Sequence, residues 1–144
     1  MSDAIAPSFS GLHHVAFTVR DLQASVAWYQ KVFQAELVDG TLPHYGREWT
    51  GYAELVIEPR TGLAIGLHHN AGNKGEEFDE VRTGLDHVSL HVEGRAGLVA
   101  WSDWLDGLGI AHSGIQSVKE PFVYSVVVFR DIDNIQLEVM AVGV

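Results

Sequence analysis

Gly11-Leu12-His13-His14-Val15-Ala16-Phe17-Thr18-Val19 returns, rewritten, as Gly84-Leu85-Asp86-His87-Val88-Ser89-Leu90-His91-Val92. The offset is 73 residues, and it carries without a gap into the next segment, where Val26-Ala27-Trp28 falls on Val99-Ala100-Trp101. The chain reads as one half written twice, so the repeat is settled before any single element. His14 falls on His87. Both copies alternate. Val15, Phe17 and Val19 share one face and His14, Ala16 and Thr18 the other; Val88, Leu90 and Val92 stand against His87, Ser89 and His91 in the same way. A period of two is the mark of a half-buried strand, with an apolar face for a helix and a polar face turned away from it.

Working outward, Asp21 is a natural helix N-cap, and Leu22, Val26, Tyr29 and Phe33 recur at helical spacing up to about Gln34. A short strand is expected over 35–38, closed by Asp39-Gly40. Residues 41–49 form an irregular loop rich in side chains suited to ligands: Pro43, His44, Tyr45, Arg47 and Glu48. Strands are expected over 52–58 and 63–69 around a turn at 59–62. Residues 70–82 are polar and acidic and read as a solvated linker. The second half repeats the plan. Its helix carries Leu98, Trp101, Leu105 and Leu108 as an apolar stripe and stops at Gly109. Strands follow over 110–116, 124–129 and 135–141, the last two joined by Asp131-Ile132-Asp133-Asn134, where Asn134 accepts a left-handed conformation. In the final strand Gln136, Glu138 and Met140 oppose Ile135, Leu137 and Val139.

Each half is thus strand–helix–strand–strand–strand. The expected fold is α+β: two βαβββ modules forming a curved mixed sheet around a central cleft, with the helices outside. A loose arm (1–10) precedes a single domain (11–144), with module one over about 11–69 and module two over about 84–141. Such a sheet gathers His14, Thr18, His68, His87, Ser89, Gln136 and Glu138 on its helix-free side.

Bulk properties narrow the function classes. With 144 residues and 47% hydrophobic content, the chain can bury one core. A net charge of −10 argues against nucleic acid, whose phosphates need a basic face, and leaves room for a cationic ligand or a metal ion. Without cysteine there is no disulfide frame and no thiolate nucleophile or ligand. No apolar run approaches the roughly 20 residues that span a bilayer. Residues 1–10 lack the basic start and apolar centre of a signal peptide. A cytoplasmic protein with no membrane partner is expected.

Three stretches carry a resemblance: His14-Val15-Ala16-Phe17-Thr18-Val19-Arg20-Asp21-Leu22 with Trp28-Tyr29, then Leu85-Asp86-His87-Val88-Ser89-Leu90, then Phe129-Arg130-Asp131-Ile132-Asp133-Asn134-Ile135-Gln136-Leu137-Glu138. Over about 11–141 the chain resembles the vicinal oxygen chelate superfamily of glyoxalases, fosfomycin-resistance enzymes, extradiol dioxygenases and bleomycin-resistance proteins. That resemblance implies metal ligands at His14, His87 and Glu138. At the fourth place it meets a departure, because Gly66 stands where a carboxylate or amide is expected. Either three protein ligands suffice, which is the preferred reading, or His68 reaches in from one strand period away. The resemblance also implies a homodimer. The lack of a carboxylate at residue 66 speaks against a glyoxalase I, and no Lys, Ser and Tyr cluster for a phosphonate is evident over 118–128.

Two imidazoles and a carboxylate suit a borderline divalent ion, and Zn, Ni, Co, Mn and Fe are not distinguished by donor type. Open coordination positions would accept two adjacent oxygens of a small substrate, with the ion as Lewis acid. The expected function is a metal-dependent enzyme of isomerase, lyase or dioxygenase type. The alternative is a metal-independent binder that sequesters a small molecule, as bleomycin-resistance proteins do, and a weaker third reading is a degenerate member serving regulation or assembly. Glu54, His44, His68 and His91 are candidate proton-transfer residues by type. His91 also reads as a supporting residue. His13 and His69 are expected on the opposite face and His112 on the surface. Trp28, Trp101 and Trp104 read as packing; Trp49, Tyr45 and Tyr124 either line a pocket or cap a loop.

Overall fold

The computed structural model describes residues 5–144. Residues 1–4 of the expected arm lie outside the described residues, and 5–10 are exposed without regular structure. The elements run β1 (His14–Thr18), α1 (Leu22–Phe33), β2 (Glu36–Leu37), β3 (Leu42–Pro43), β4 (Gly51–Ile57), β5 (Ala64–Asn70), β6 (His87–His91), α2 (Gly94–Gly107), β7 (Gln116–Val118), β8 (Tyr124–Arg130) and β9 (Gln136–Val142), with a 3-10 turn at Glu48–Thr50.

The α1 helix starts where its cap chemistry says it should. Asp21 is extended, and its Oδ1 accepts the Ala24 amide at 3.0 Å, satisfying one of the first-turn donors that have no helical partner. Gln34 ends it at φ 50°, left-handed. The stripe Leu22, Val26, Tyr29 and Phe33 is buried. In α2, Leu98 and Leu105 are fully buried, and Gly109 turns the chain out at φ 69°.

Two sheets result. One has the order β1-β5-β4-β2, with β3 paired to β4; the other runs β6-β9-β8-β7. In each, the first strand of the module lies parallel to its last strand, β1 on β5 and β6 on β9. The duplicated stretches therefore form an edge of each sheet, and within one chain the two edges are not joined. The register preserves the repeat: Ala16 stands opposite Gly66 as Ser89 stands opposite Glu138. Each helix covers one face of its own sheet, and all the covered faces contribute to one apolar cluster. The helices also meet each other. Trp104 Nε1 donates to the Val32 carbonyl at 2.9 Å, and the Phe33 and Trp101 rings lie 5.7 Å apart. Among the described residues, no helix lies on the other face of either sheet.

A polar seam ties the modules together. Tyr29 Oη donates to Asp131 Oδ2 at 2.6 Å, while Asp131 Oδ1 accepts the amides of Asp133 and Ile135 at 2.9 Å. Asp133 takes Arg20 Nε at 2.6 Å and Ser25 Oγ at 3.3 Å. Burial pushes the Tyr29 hydroxyl and the Asp131 carboxyl above their ordinary ranges. Asn134 is left-handed at φ 69°, as its place in the turn predicts.

Two expectations are corrected. The strand expected over 110–116 is displaced to Gln116–Val118, because Gly114 turns the chain at φ 66° and only a lone bridge joins His112 to Phe129. The acidic linker is not simply solvated. Glu80 binds Arg130 through both oxygens at 2.6 and 3.1 Å, which holds its carboxyl down at about 2. The Phe78 amide donates to the Asp133 carbonyl at 2.9 Å, and Asn134 Nδ2 returns a bond to the Phe78 carbonyl at 3.1 Å.

Candidate metal centre

On the second sheet, His87 opens β6 and Glu138 sits in the middle of β9, both on the helix-free face. Asp86, the residue before the strand, lies 2.6 Å from His87 Nδ1. An Nδ1–H donated to that carboxylate leaves Nε2 bare, and Nε2 lies 3.7 Å from Glu138 Oε1. A carboxylate behind a histidine, fixing which nitrogen faces forward, is the arrangement that supports metal-binding imidazoles.

Glu138 is the anomaly of the chain. Four carboxylates are buried among the described residues: Glu58, Asp131, Asp133 and Glu138. Three are saturated. Glu58 accepts both the amide and Nε of Arg60, and the amide and hydroxyl of Thr61. Burial alone would raise its pKa, but those bonds together hold it at about 2. Asp131 and Asp133 are bonded within the seam. Glu138, at 8% exposure, accepts no hydrogen bond from the described residues, and its ionic neighbour among them is the imidazole of His87. Its oxygens keep a little solvent contact, but a largely buried carboxylate with no protein donor is poorly compensated, and a cation beside it would offset that cost. The donor set fits a divalent cation on this ground.

The first sheet carries the other part. His14 opens β1 as His87 opens β6, and it is exposed on the helix-free face. His13 Nδ1 lies 2.9 Å from His14 Nδ1, with the rings edge to face. His13 precedes the strand, so the alternation that predicts it on the opposite face does not bind it. It takes the repeat position of Asp86. Across the sheet, the imidazole of His68 lies over Gly66, its Nε2 3.7 Å from where a Cβ on Gly66 would be. His68 stacks on His44, centroids 4.7 Å apart and planes at 12°. Burial, then the neighbouring His44 and His14, hold the His68 pKa below its usual value. His44 Nδ1 lies 2.5 Å from Thr50 Oγ1, and the Thr50 hydroxyl donates to the Arg47 carbonyl at 2.7 Å. With that hydrogen committed, His44 Nδ1 is the donor and its Nε2 the bare nitrogen. A cavity of about 570 Å³ adjoins the pair, lined by Thr18, Tyr45, Arg47 and Asn70 among others.

Within one chain, then, His87 and Glu138 converge, while His14 lies on the other sheet. No group of three acidic, histidine or cysteine side chains among the described residues is close enough to hold an ion. Of the proton-transfer candidates, His44 and His68 face the open side of the first sheet. His91 ends β6, exposed. Glu54 pairs with Leu67, on the helix side of β4, and receives Gln23 Nε2 at 3.2 Å, so it is turned away from the site. His112 is not a surface residue. Its side chain is largely covered and bonded to Asp106 Oδ1 at 3.1 Å. Trp28 and Trp101 pack within the core as expected. Tyr45 and Trp49 are exposed, and Tyr124 rests on Phe122.

Residues 11–139 match the sequence profile of the Glyoxalase/Bleomycin resistance protein/Dioxygenase superfamily. The chain belongs to that superfamily. Solved structures agree. A glyoxylase/bleomycin resistance protein/dioxygenase domain from Frankia sp. EAN1pec is 36% identical, with 94% of this chain and 93% of that one covered and a TM-score of 0.77. The fosfomycin resistance protein FosX from Listeria monocytogenes shares the fold at 19% identity, covering 93% and 94%, with a TM-score of 0.64. A glyoxalase/dioxygenase from Nostoc punctiforme does so at 17% identity, covering 100% and 99%, with a TM-score of 0.66. FosX has also been solved with Mn(II) and a sulfate ion.

The superfamily's scaffold supports many reactions, so the site has to speak for itself. Sequence reasoning missed two residues of this one. Asp86 was legible only as the acidic neighbour of His87. Thr50, which settles the His44 tautomer, gives no signal by spacing.

Proposed function

We propose that this member of the superfamily is a divalent-metal enzyme that works as a homodimer, each site drawing His14 from one chain and His87 and Glu138 from the other. The observation that carries the reading is Glu138: a buried carboxylate without donors, faced by an imidazole whose second nitrogen is already held by Asp86. The split of the three residues between two outward-facing sheets supports assembly from two chains. So do the unjoined strands β1 and β6, since sheet edges with free backbone groups pair readily with another copy. A divalent ion so held supplies Lewis acidity toward a small substrate with two neighbouring oxygens. The chain's own residues do the rest. Glu138 supplies negative charge, His87 and His14 supply neutral nitrogens, and His44 Nε2 is placed to accept a proton at the rim.

Metal analysis and mixed dimers test this. Protein purified without chelator should carry about one ion per chain, and His14→Ala, His87→Ala and Glu138→Ala should each lose it. Mixing the His14→Ala and Glu138→Ala chains should restore one intact site per mixed dimer, and with it up to half the capacity of those dimers. A mixture that stays empty sinks the shared site. Small-molecule binding that persists unchanged after chelation points instead to a sequestering protein of the bleomycin-resistance kind.

A further inference from the structure

The repeat predicts a side chain at residue 66 that answers Glu138, and Gly66 has none. The backbone there is undisturbed, for the β1–β5 and β4–β5 registers run unbroken through residues 64 to 68. What has changed is the side chain one period along. His68 leans back over the glycine, putting Nε2 3.7 Å from the position of the missing Cβ. The reach comes from a leaning side chain and needs no strand shift. Gly66 and His68 are therefore complementary. A Cβ at residue 66 already meets Ala16 Cβ at 3.2 Å, and a longer side chain would run into the imidazole.

The ring is held in that pose. It stacks on His44, which is itself fixed by Thr50, and neither of its own nitrogens has a hydrogen-bond partner among the described residues. A half-buried imidazole, stacked on His44 at the wall of a cavity and with neither nitrogen tied to the protein, keeps a lone pair free for a ligand entering there. In the second module the matching space is taken by the Glu138 carboxylate, beside His87 Nε2.

We infer that His68 supplies the fourth protein ligand of the metal centre, the imidazole over Gly66 standing in for the carboxylate that the repeat lacks there. This rests on the metal-centre reading above. It changes the donor set from two nitrogens and one oxygen to three nitrogens and one oxygen, and leaves the ligand charge the protein brings at that of one carboxylate, where a carboxylate at residue 66 would have added a second.

The test is Co²⁺ titration followed by visible absorption, with competition against a chelator for affinity. Wild type, His68→Ala, His68→Gln and the double variant Gly66→Glu/His68→Ala are compared, after thermal melts show each folded. His68→Ala should weaken Co²⁺ binding by at least about tenfold and shift the ligand-field bands. The double variant should regain much of the affinity with a spectrum of more oxygen character. His68→Gln covers the case in which alanine unfolds the chain, and should likewise shift the bands. If wild type binds Co²⁺ and the His68 variants bind it equally with unchanged bands, this inference is wrong and the three-ligand site stands. If wild type binds no Co²⁺ at all, the metal-centre reading fails and takes this one with it.

Discussion

A single side chain, Glu138, sits at odds with every other buried acid among the described residues. Glu58 shows what a settled one looks like, with four donors around it and a pKa of about 2. The contrast gives opposite predictions. Glu138→Gln should raise the melting temperature of the metal-free protein, since it removes a charge that no donor compensates, while abolishing ion uptake. Calorimetry with and without metal reads both. Glu58→Gln should cost about 1–3 kcal/mol at neutral pH, from bonds to a charged group. Because the folded pKa lies below that of the unfolded chain, the Glu58 contribution is full above about pH 4.5 and fades as pH falls toward 2. The gap between Glu58→Gln and wild type, measured by urea melts, should close over that window. Asp86→Asn should lower metal affinity by about 10- to 100-fold without touching the fold, as expected for a group that only orients its neighbour. Glu138 could be picked out in the sequence as a charge in an apolar strand. That it lacks donors could not, because absence of a partner is a fact of three dimensions.

At the scale of elements, most of the plan was written in the chain. Asp21 and Gln34 mark the ends of α1, and the alternation over 11–19 and 84–92 marks the edge strands. Asp21→Ala should cost about 1 kcal/mol, read as a lowered urea midpoint with unchanged slope. What escaped the sequence did so for local reasons. The β7 strand shifted because Gly114 adopts a positive φ that no hydrophobic pattern encodes. The linker reads as a run of solvated acids, yet Glu80 and Phe78 clip it to the β8–β9 turn. Those partners are some fifty residues away in the chain, beyond the reach of any local window. His13 stands one residue outside β1, so the rhythm of that strand does not fix its side.

For the whole molecule, the sequence conveyed the two modules but not how they are disposed. Repetition says that two halves are alike. It does not say whether their polar faces meet within one chain or look outward to another. Here the helices take the shared interior and both polar faces look out. Under the shared-site proposal, metal and association should be linked. An ion held by both chains stabilises only the dimer, so supplying it at about 100 times its dissociation constant should tighten the dimer by roughly 100-fold per site. Sedimentation with and without chelator measures that shift.

If the centre is shared between two chains as proposed, the two unjoined edges, β1 and β6, would also make the chain a gauge of its own abundance. Half-centres on separate molecules would meet by collision, so in dilute solution the yield of working centres would climb with the square of protein concentration and flatten only when association saturates. A cell that halved its supply of this polypeptide, within that dilute range, would lose three quarters of the assembled centres, and regain them steeply when synthesis resumed.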